Sequence, residues 1–371
     1  MLEIIVLNAG KGDSIVVAHT GEDGVRSFGV IDSNARDNSG IAPAKIYLQK
    51  LGVEKLNFAL LTHPHADHYT GFLDILETFD PDEIFIYPIG LLESARFKKL
   101  GEVYLPFAVH EDQEIRSGAQ EFIRILNYLS KNKNKVLELT GPFSLMHVTG
   151  FSDCVFDVLL PFRRMKGQYF ESIEKNDPNI LSSEHPNSLS VVIKVNYAGK
   201  SVVLGSDASM VSSNDLIHWS KKHNKSVSSD ALKVPHHGSK GDNNSKTRNY
   251  YLRASGAEDY TPPIALISAN GTKHHPHSDV LSDLVDSGIH PYCTNISQMC
   301  SGDVSKILGD WTMSKELRKI INLYVDDTSH THNVPCQGDV SLCIKPDGSI
   351  SVSTETGNTC IFRTDLKSLF K

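Results

Sequence analysis

The chain has 371 residues, 40% of them hydrophobic and 22% charged, with a formal net charge of −7. This is ordinary globular material, enough for one large domain or two modest ones. Its acidic balance excludes a general polyanion-coating role, so any nucleic-acid contact must come from a local patch. No apolar run reaches the roughly eighteen residues of a membrane-spanning helix. The start, Met1-Leu2-Glu3-Ile4-Ile5-Val6-Leu7, lacks a basic region followed by a long apolar core, so a cytoplasmic protein is expected. Cys154, Cys293, Cys300, Cys336, Cys343 and Cys360 are thinly spread without a C-x-x-C pair, which predicts reduced thiols rather than a disulfide framework.

In chain order, Ile4–Leu7, Ser14–Ala18 and Phe28–Ile31 read as short strands joined by Gly-rich turns, the third ending in Asp32. Ile41–Leu51 reads as a helix stopped by Gly52. The apolar run Leu56–Thr62 predicts a buried strand, and Tyr69–Leu76 the opening of a helix. Between them lies His63-Pro64-His65-Ala66-Asp67-His68, four metal-ligand side chains within six residues. A strand-to-helix turn is the usual place for chemistry in a layered α/β sheet. Imidazoles suit zinc, and a carboxylate adds affinity for harder cations such as manganese. His63 and His65 are placed to bind one cation, with Asp67 and His68 facing a second. A polar surface turn that happens to be His-rich is the competing explanation.

Ile84–Tyr87 is the next predicted strand. The segment from about 90 to 150 is more charged and more helical, and Ile115, Ala119, Phe122, Ile123, Leu126 and Leu129 follow helical spacing. It offers a surface for a protein partner, and its basic run Lys131–Lys135 reads as a solvated helix end before a nucleic-acid contact. Val155–Leu160, Leu189–Val195 and Ser201–Leu204 return to strand. The last two form a hairpin delivering Asp207, which could bridge two cations or cap the helix expected over Ser213–Lys222. Two further strands end in histidines: Ala231–Val234 before His236-His237-Gly238-Ser239-Lys240, and Ala265–Ala269 before His274-His275-Pro276-His277 and a helix over Ser278–Ser287. Eight of the seventeen histidines fall in these three loops. Val340–Ile344 and Ile350–Ser353, around Pro346-Asp347-Gly348, read as a final hairpin.

The His63–His68 motif resembles the metallo-β-lactamase superfamily signature. More narrowly, the chain resembles the soluble metallo-β-lactamase-like domain of the ComEC family of DNA-uptake proteins. The resemblance rests on Leu7–Ser14, Val30-Ile31-Asp32, Thr62–His68, Asn187–Val192, Gly205-Ser206-Asp207, Lys233–Lys240 and His275-Pro276-His277, in family order over most of residues 1–295. It implies an αββα sandwich with two divalent cations (zinc or manganese, with magnesium also compatible) at one edge between two sheets. It also implies hydrolysis of a nucleic-acid phosphodiester. On that reading residues 1–310 form the hydrolase domain, with a helical insertion at about 90–150, and 311–371 a C-terminal extension packed on it. The family's membrane channel is missing, implying a free-standing enzyme. Near the superfamily's third motif stand His185 and Asn187, the latter matching the narrower family and favouring manganese or magnesium.

The expected ligands are His63, His65, Asp67, His68, bridging Asp207 and a distal histidine, for which His236 and His275 compete. Asp67, His236 and His275 are the candidate catalytic groups, Asp67 orienting the attacking water. His237, Ser239, Lys240 and His277 are candidate substrate contacts, and Lys233, Lys240, Lys246 and Arg248 a candidate basic rim. A lactone, thioester or small-phosphoester hydrolase and a non-catalytic metal-binding scaffold are the alternatives.

Overall fold

A computed structural model describes the chain except residues 11, 36–39, 176–183, 253–261, 270–274, 296–335, 359 and 361–371. Lys11, His274 and much of the C-terminal extension therefore lie outside the described residues, as does the His185 side chain.

The strands are β1 (Leu2–Val6), β2 (Ser14–Thr20), β3 (Arg26–Ser33), β4 (Phe58–Leu61), β5 (Glu83–Ile86), β6 (Val136–Glu138), β7 (Ser144–Met146), β8 (Val155–Leu160), β9 (Val192–Tyr197), β10 (Lys200–Leu204), β11 (Ala231–Lys233), β12 (Ile264–Ile267), β13 (His290–Cys293), β14 (Val340–Ile344) and β15 (Ile350–Thr354). They build an eight-stranded sheet, β15-β14-β1-β2-β3-β4-β5-β6, and a seven-stranded sheet, β13-β12-β11-β10-β9-β8-β7.

Three apolar clusters define the layers. Ile4, Val17, Leu60, Val158, Ile193 and Leu266 meet between the sheets. Their strand neighbours face outward: Ile5, Val16 and Val30 pack with Leu48, Ile75 and Phe79 on one side. On the other, Val203, Leu232 and Ala265 pack with Leu216, Val280 and Leu284. Because side chains alternate along a strand, burial on both faces demands continuous apolar runs, which is what Phe58–Leu61 and Ile264–Ile267 supply. The expected αββα metallo-β-lactamase sandwich is thus borne out.

The segment 90–150 is helical over Ser94–Tyr104 and Gln113–Lys131, then gives one edge strand to each sheet, β6 and β7. Its long helix starts at Asp112, whose carboxylate accepts the Glu114 and Ile115 N–H groups, a cap contributing about 1 kcal/mol. The helix buries Ala119, Phe122, Ile125, Leu126 and Leu129. The final hairpin forms as expected and joins the first sheet, β14 running antiparallel to β1. No described helix is long and apolar enough to cross a membrane.

Strands β3 to β6 run parallel, as do β10 to β13. The loops after β3 and β4, and those after β10, β11 and β12, therefore open at matching strand ends within each sheet, and the candidate ligands lie in them or in the short helix Ala66–Tyr69 that follows β4.

Candidate metal centre

The loop after β4 is fixed from below. The Thr62 N–H and hydroxyl both donate to the Asp32 carboxylate, at 2.8 and 2.6 Å. Gly12, at φ +101°, lies so close that an added Cβ would stand 1.8 Å from the Asp67 carbonyl oxygen. Only glycine permits that approach. From the other sheet, the Ser206 hydroxyl donates to Thr62 Oγ1 at 2.7 Å and the Val191 N–H to the Thr62 carbonyl at 3.0 Å. Ser206 is left-handed (φ 47°), as are His236 and His237 (φ 46° and 50°), conformations that non-glycine residues hold at a cost of order 1–3 kcal/mol and that cluster at functional sites. Asp207 does not cap the following helix, whose N-cap is Ser209.

These loops gather carboxylates and imidazoles around buried Asp207. Its Oδ2 lies 3.9 Å from His63 Nε2, 3.5 Å from His68 Nε2 and 3.8 Å from His236 Nε2. Its Oδ1 lies 3.6 Å from His237 Nε2, which is 3.8 Å from Asp67 Oδ2. Ligand atoms of His63, His65 and Asp207 converge within 4.8 Å, as do those of Asp67, His68 and His237, and those of Asp13, His68 and Asp207. Outer contacts aim the rings: His68 Nδ1 lies 2.7 Å from Asp32 Oδ2 and His237 Nδ1 3.0 Å from the Ser268 carbonyl. Such contacts fix the tautomer and leave the opposite nitrogen to a metal. The buried His68 Nε2, His237 Nε2 and Asp207 Oδ1 have no hydrogen-bond partner. Buried polar atoms are normally satisfied, so the donor set fits divalent cations.

The electrostatics agree. Burial pulls His63 well below its ordinary pKa, with His68 and His65 adding to the effect, and brings His65 down to about 4. Burial also opposes charge on His68, but the Asp207 and Asp32 carboxylates outweigh it and hold His68 well above the usual value. For Asp207 burial is likewise outweighed, by His237, His68 and His236, and the carboxyl stays well below the usual range.

Each sequence candidate can now be located. His63, His65, Asp67, His68 and Asp207 come together. His237, expected to touch substrate, is the histidine facing both Asp67 and Asp207. His236 is one-fifth exposed, with Nδ1 2.6 Å from Asp242 Oδ2. Ring centroids place His275 5.3 Å from His236 and 5.4 Å from His277, in an outer row. Ser239 is buried, its carbonyl accepting from Asn243, while the Lys240 N–H donates to His277 Nδ1 at 3.2 Å. The basic rim is largely dismantled. Lys233 is fully buried against Asp13, and Arg248 is 2% exposed, donating to Asp283 and the Asn243 carbonyl. Lys240 pairs with Asp279, leaving Lys246 exposed. Sequence reasoning missed Asp13 and Asp242; a carboxylate directly after a glycine turn was the available signal for Asp13.

Among curated proteins none matches this sequence. Solved structures similar to it include a diphosphatase of the PhnP family (12% identity, TM-score 0.34, covering 80% of this chain and 87% of that one). A candidate metal-dependent hydrolase from Parabacteroides distasonis gives 12% identity and TM-score 0.38 over 79% and 92% of the two chains. AidC, a dizinc quorum-quenching lactonase, gives 13% and 0.33 over 53% and 56%. The family model described as the metallo-β-lactamase superfamily matches residues 27–142. The His63–His68 loop lies inside that match, and the two sheets with their flanking helices have the layout of the metallo-β-lactamase sandwich.

Proposed function

We propose that the protein is a two-cation phosphodiesterase acting on nucleic acid. The observation that carries the reading is buried Asp207, with Oδ2 3.9 Å from His63 and 3.5 Å from His68, Oδ1 3.6 Å from His237, and ligand atoms of His68, His237 and Asp207 left without hydrogen-bond partners. His63 and His65 would hold one cation and Asp67, His68 and His237 the other, with Asp207 shared. Zinc, manganese and magnesium are the candidates. When bound, two such cations supply polarisation of a phosphoryl oxygen and a nucleophilic water near neutral pH.

This chain's residues would do the rest. Asp67 is 22% exposed where Asp13, Asp32 and Asp207 are at most 2%, so it is the carboxylate facing the opening, suited to orient water and accept its proton. His236, held by Asp242, and His275 and His277 beyond it line the approach for the scissile phosphate and the leaving oxygen. The nucleic-acid assignment draws its support from the resemblance to the DNA-uptake domain. One observation favours a smaller substrate instead: with Lys233 and Arg248 buried and Lys240 paired, few cations remain to follow a phosphate backbone.

Purified protein, stripped with chelator and reloaded with manganese, magnesium or zinc, should be assayed on single- and double-stranded DNA and RNA, a small phosphodiester, a lactone and a thioester. Cleavage of nucleic acid restored by a cation supports the proposal. Turnover of only the lactone or thioester overturns it, and cleavage of only the small phosphodiester retains the chemistry but removes the nucleic acid.

A further inference from the structure

The Lys233–Asp13 ion pair is buried 0% and 1% exposed, joins the two sheets, and has no part in the reaction described above. Such a pair is weak evidence of stabilisation, since desolvating two charges offsets much of their attraction. Its contacts are selective. The Asp13 N–H donates to the Asp67 carbonyl at 3.1 Å. Asp13 Oδ1 lies 3.5 Å from His237 Nδ1, and Oδ2 4.0 Å from His68 Nδ1. Lys233 Nζ donates to the Ser206 carbonyl at 3.3 Å, directly before Asp207. The pair thus touches Asp67, His68, His237 and the turn carrying Asp207. The other half of the site shares only Ser206 with these contacts: His63 Nδ1 lies 3.0 Å from Thr62 Oγ1 and 3.4 Å from Ser206 Oγ, and His65 Nδ1 3.1 Å from His63 Nε2. Asp13 also belongs to a group of ligand-type side chains with His68 and Asp207; the Lys233 ammonium donates to its Oδ2, while Oδ1 has no hydrogen-bond partner.

We infer that Lys233 and Asp13 are positioning residues for the second cation: the ammonium fixes the Asp13 carboxylate, which holds Asp67 and His237 in register. The inference rests on the two-cation reading. The test is calorimetric manganese titration of the metal-free protein, with stoichiometry checked by elemental analysis. Lys233→Met leaves a lone buried carboxylate and can fail to fold, so the Lys233→Met/Asp13→Asn double variant, which removes both charges, is measured beside it. Wild type should take up two cations. The double variant should keep the first at near-native affinity and bind the second about 10- to 100-fold more weakly, the range for loss of outer contacts. A folded double variant that binds both cations as wild type does, or weakens both equally, overturns the inference and leaves the two-cation reading intact. A single cation in wild type overturns both.

Discussion

His237 and His236 are sequence neighbours with different surroundings, and replacing each by alanine separates their roles. His237 is 2% exposed, its Nε2 faces two carboxylates at 3.6 and 3.8 Å, and its Nδ1 is tied to the Ser268 carbonyl. His236 faces Asp207 alone at 3.8 Å and gives its other nitrogen to Asp242. Outer contacts around metals are worth 10- to 100-fold in affinity, and a direct ligand must exceed them. His237→Ala should therefore weaken one cation by more than about 100-fold, or roughly 2.8 kcal/mol at 1.4 kcal/mol per tenfold, reducing the bound stoichiometry from two to one. His236→Ala should retain both cations and lose turnover instead. Stoichiometry by elemental analysis after gel filtration, with calorimetry for affinity, reads both. Two cations bound at wild-type affinity in His237→Ala would refute the assignment, and loss of one in His236→Ala would transfer it.

Asp207→Ala should lower hydrolysis by at least about a thousandfold, since the proposed two-cation site has both cations sharing that carboxylate, with circular dichroism unchanged. Gly12→Ala should disturb Asp67 and depress activity strongly, because an added Cβ meets the Asp67 carbonyl at 1.8 Å; wild-type activity there would contradict the packing. Asn187 is buried with its Oδ1 unpartnered, so Asn187→His should raise zinc affinity relative to manganese if this side chain faces the first cation. Replacing Lys240 and Lys246 together by Gln should change the salt slope of nucleic-acid binding by no more than about two phosphate contacts, because Asp279 already neutralises Lys240; a steeper loss would reveal a larger basic surface.

The layering was readable because strands covered on both faces leave unbroken apolar runs, as in Phe58–Leu61. β6 and β7 were not, for they are three-residue edge strands with Leu137 and Leu145 about half exposed. The His63–His68 loop and the hairpin leading to Asp207 were legible as local patterns. The roles of His237 and Lys233 were not local. Sequence gives a lysine its charge but not its burial, and Lys233 finds its partner 220 positions earlier. Likewise the sequence sets His236 and His237 side by side, both left-handed with φ near +50°, but does not show that they meet different surroundings.

The pairing of β1 with β14 has a consequence for biosynthesis. Leu2 to Val6 line up with Ile344 to Val340, over three hundred residues later. During translation β1 is made long before β14, so its outer edge stays without that neighbour until β14 emerges. At about 5–20 residues per second that wait lasts on the order of tens of seconds. Meanwhile Leu2-Glu3-Ile4-Ile5-Val6 presents unpaired amides on an apolar strand, the kind of edge that templates aggregation. Expression yield should therefore respond more sharply to changes in β14 than its short length suggests.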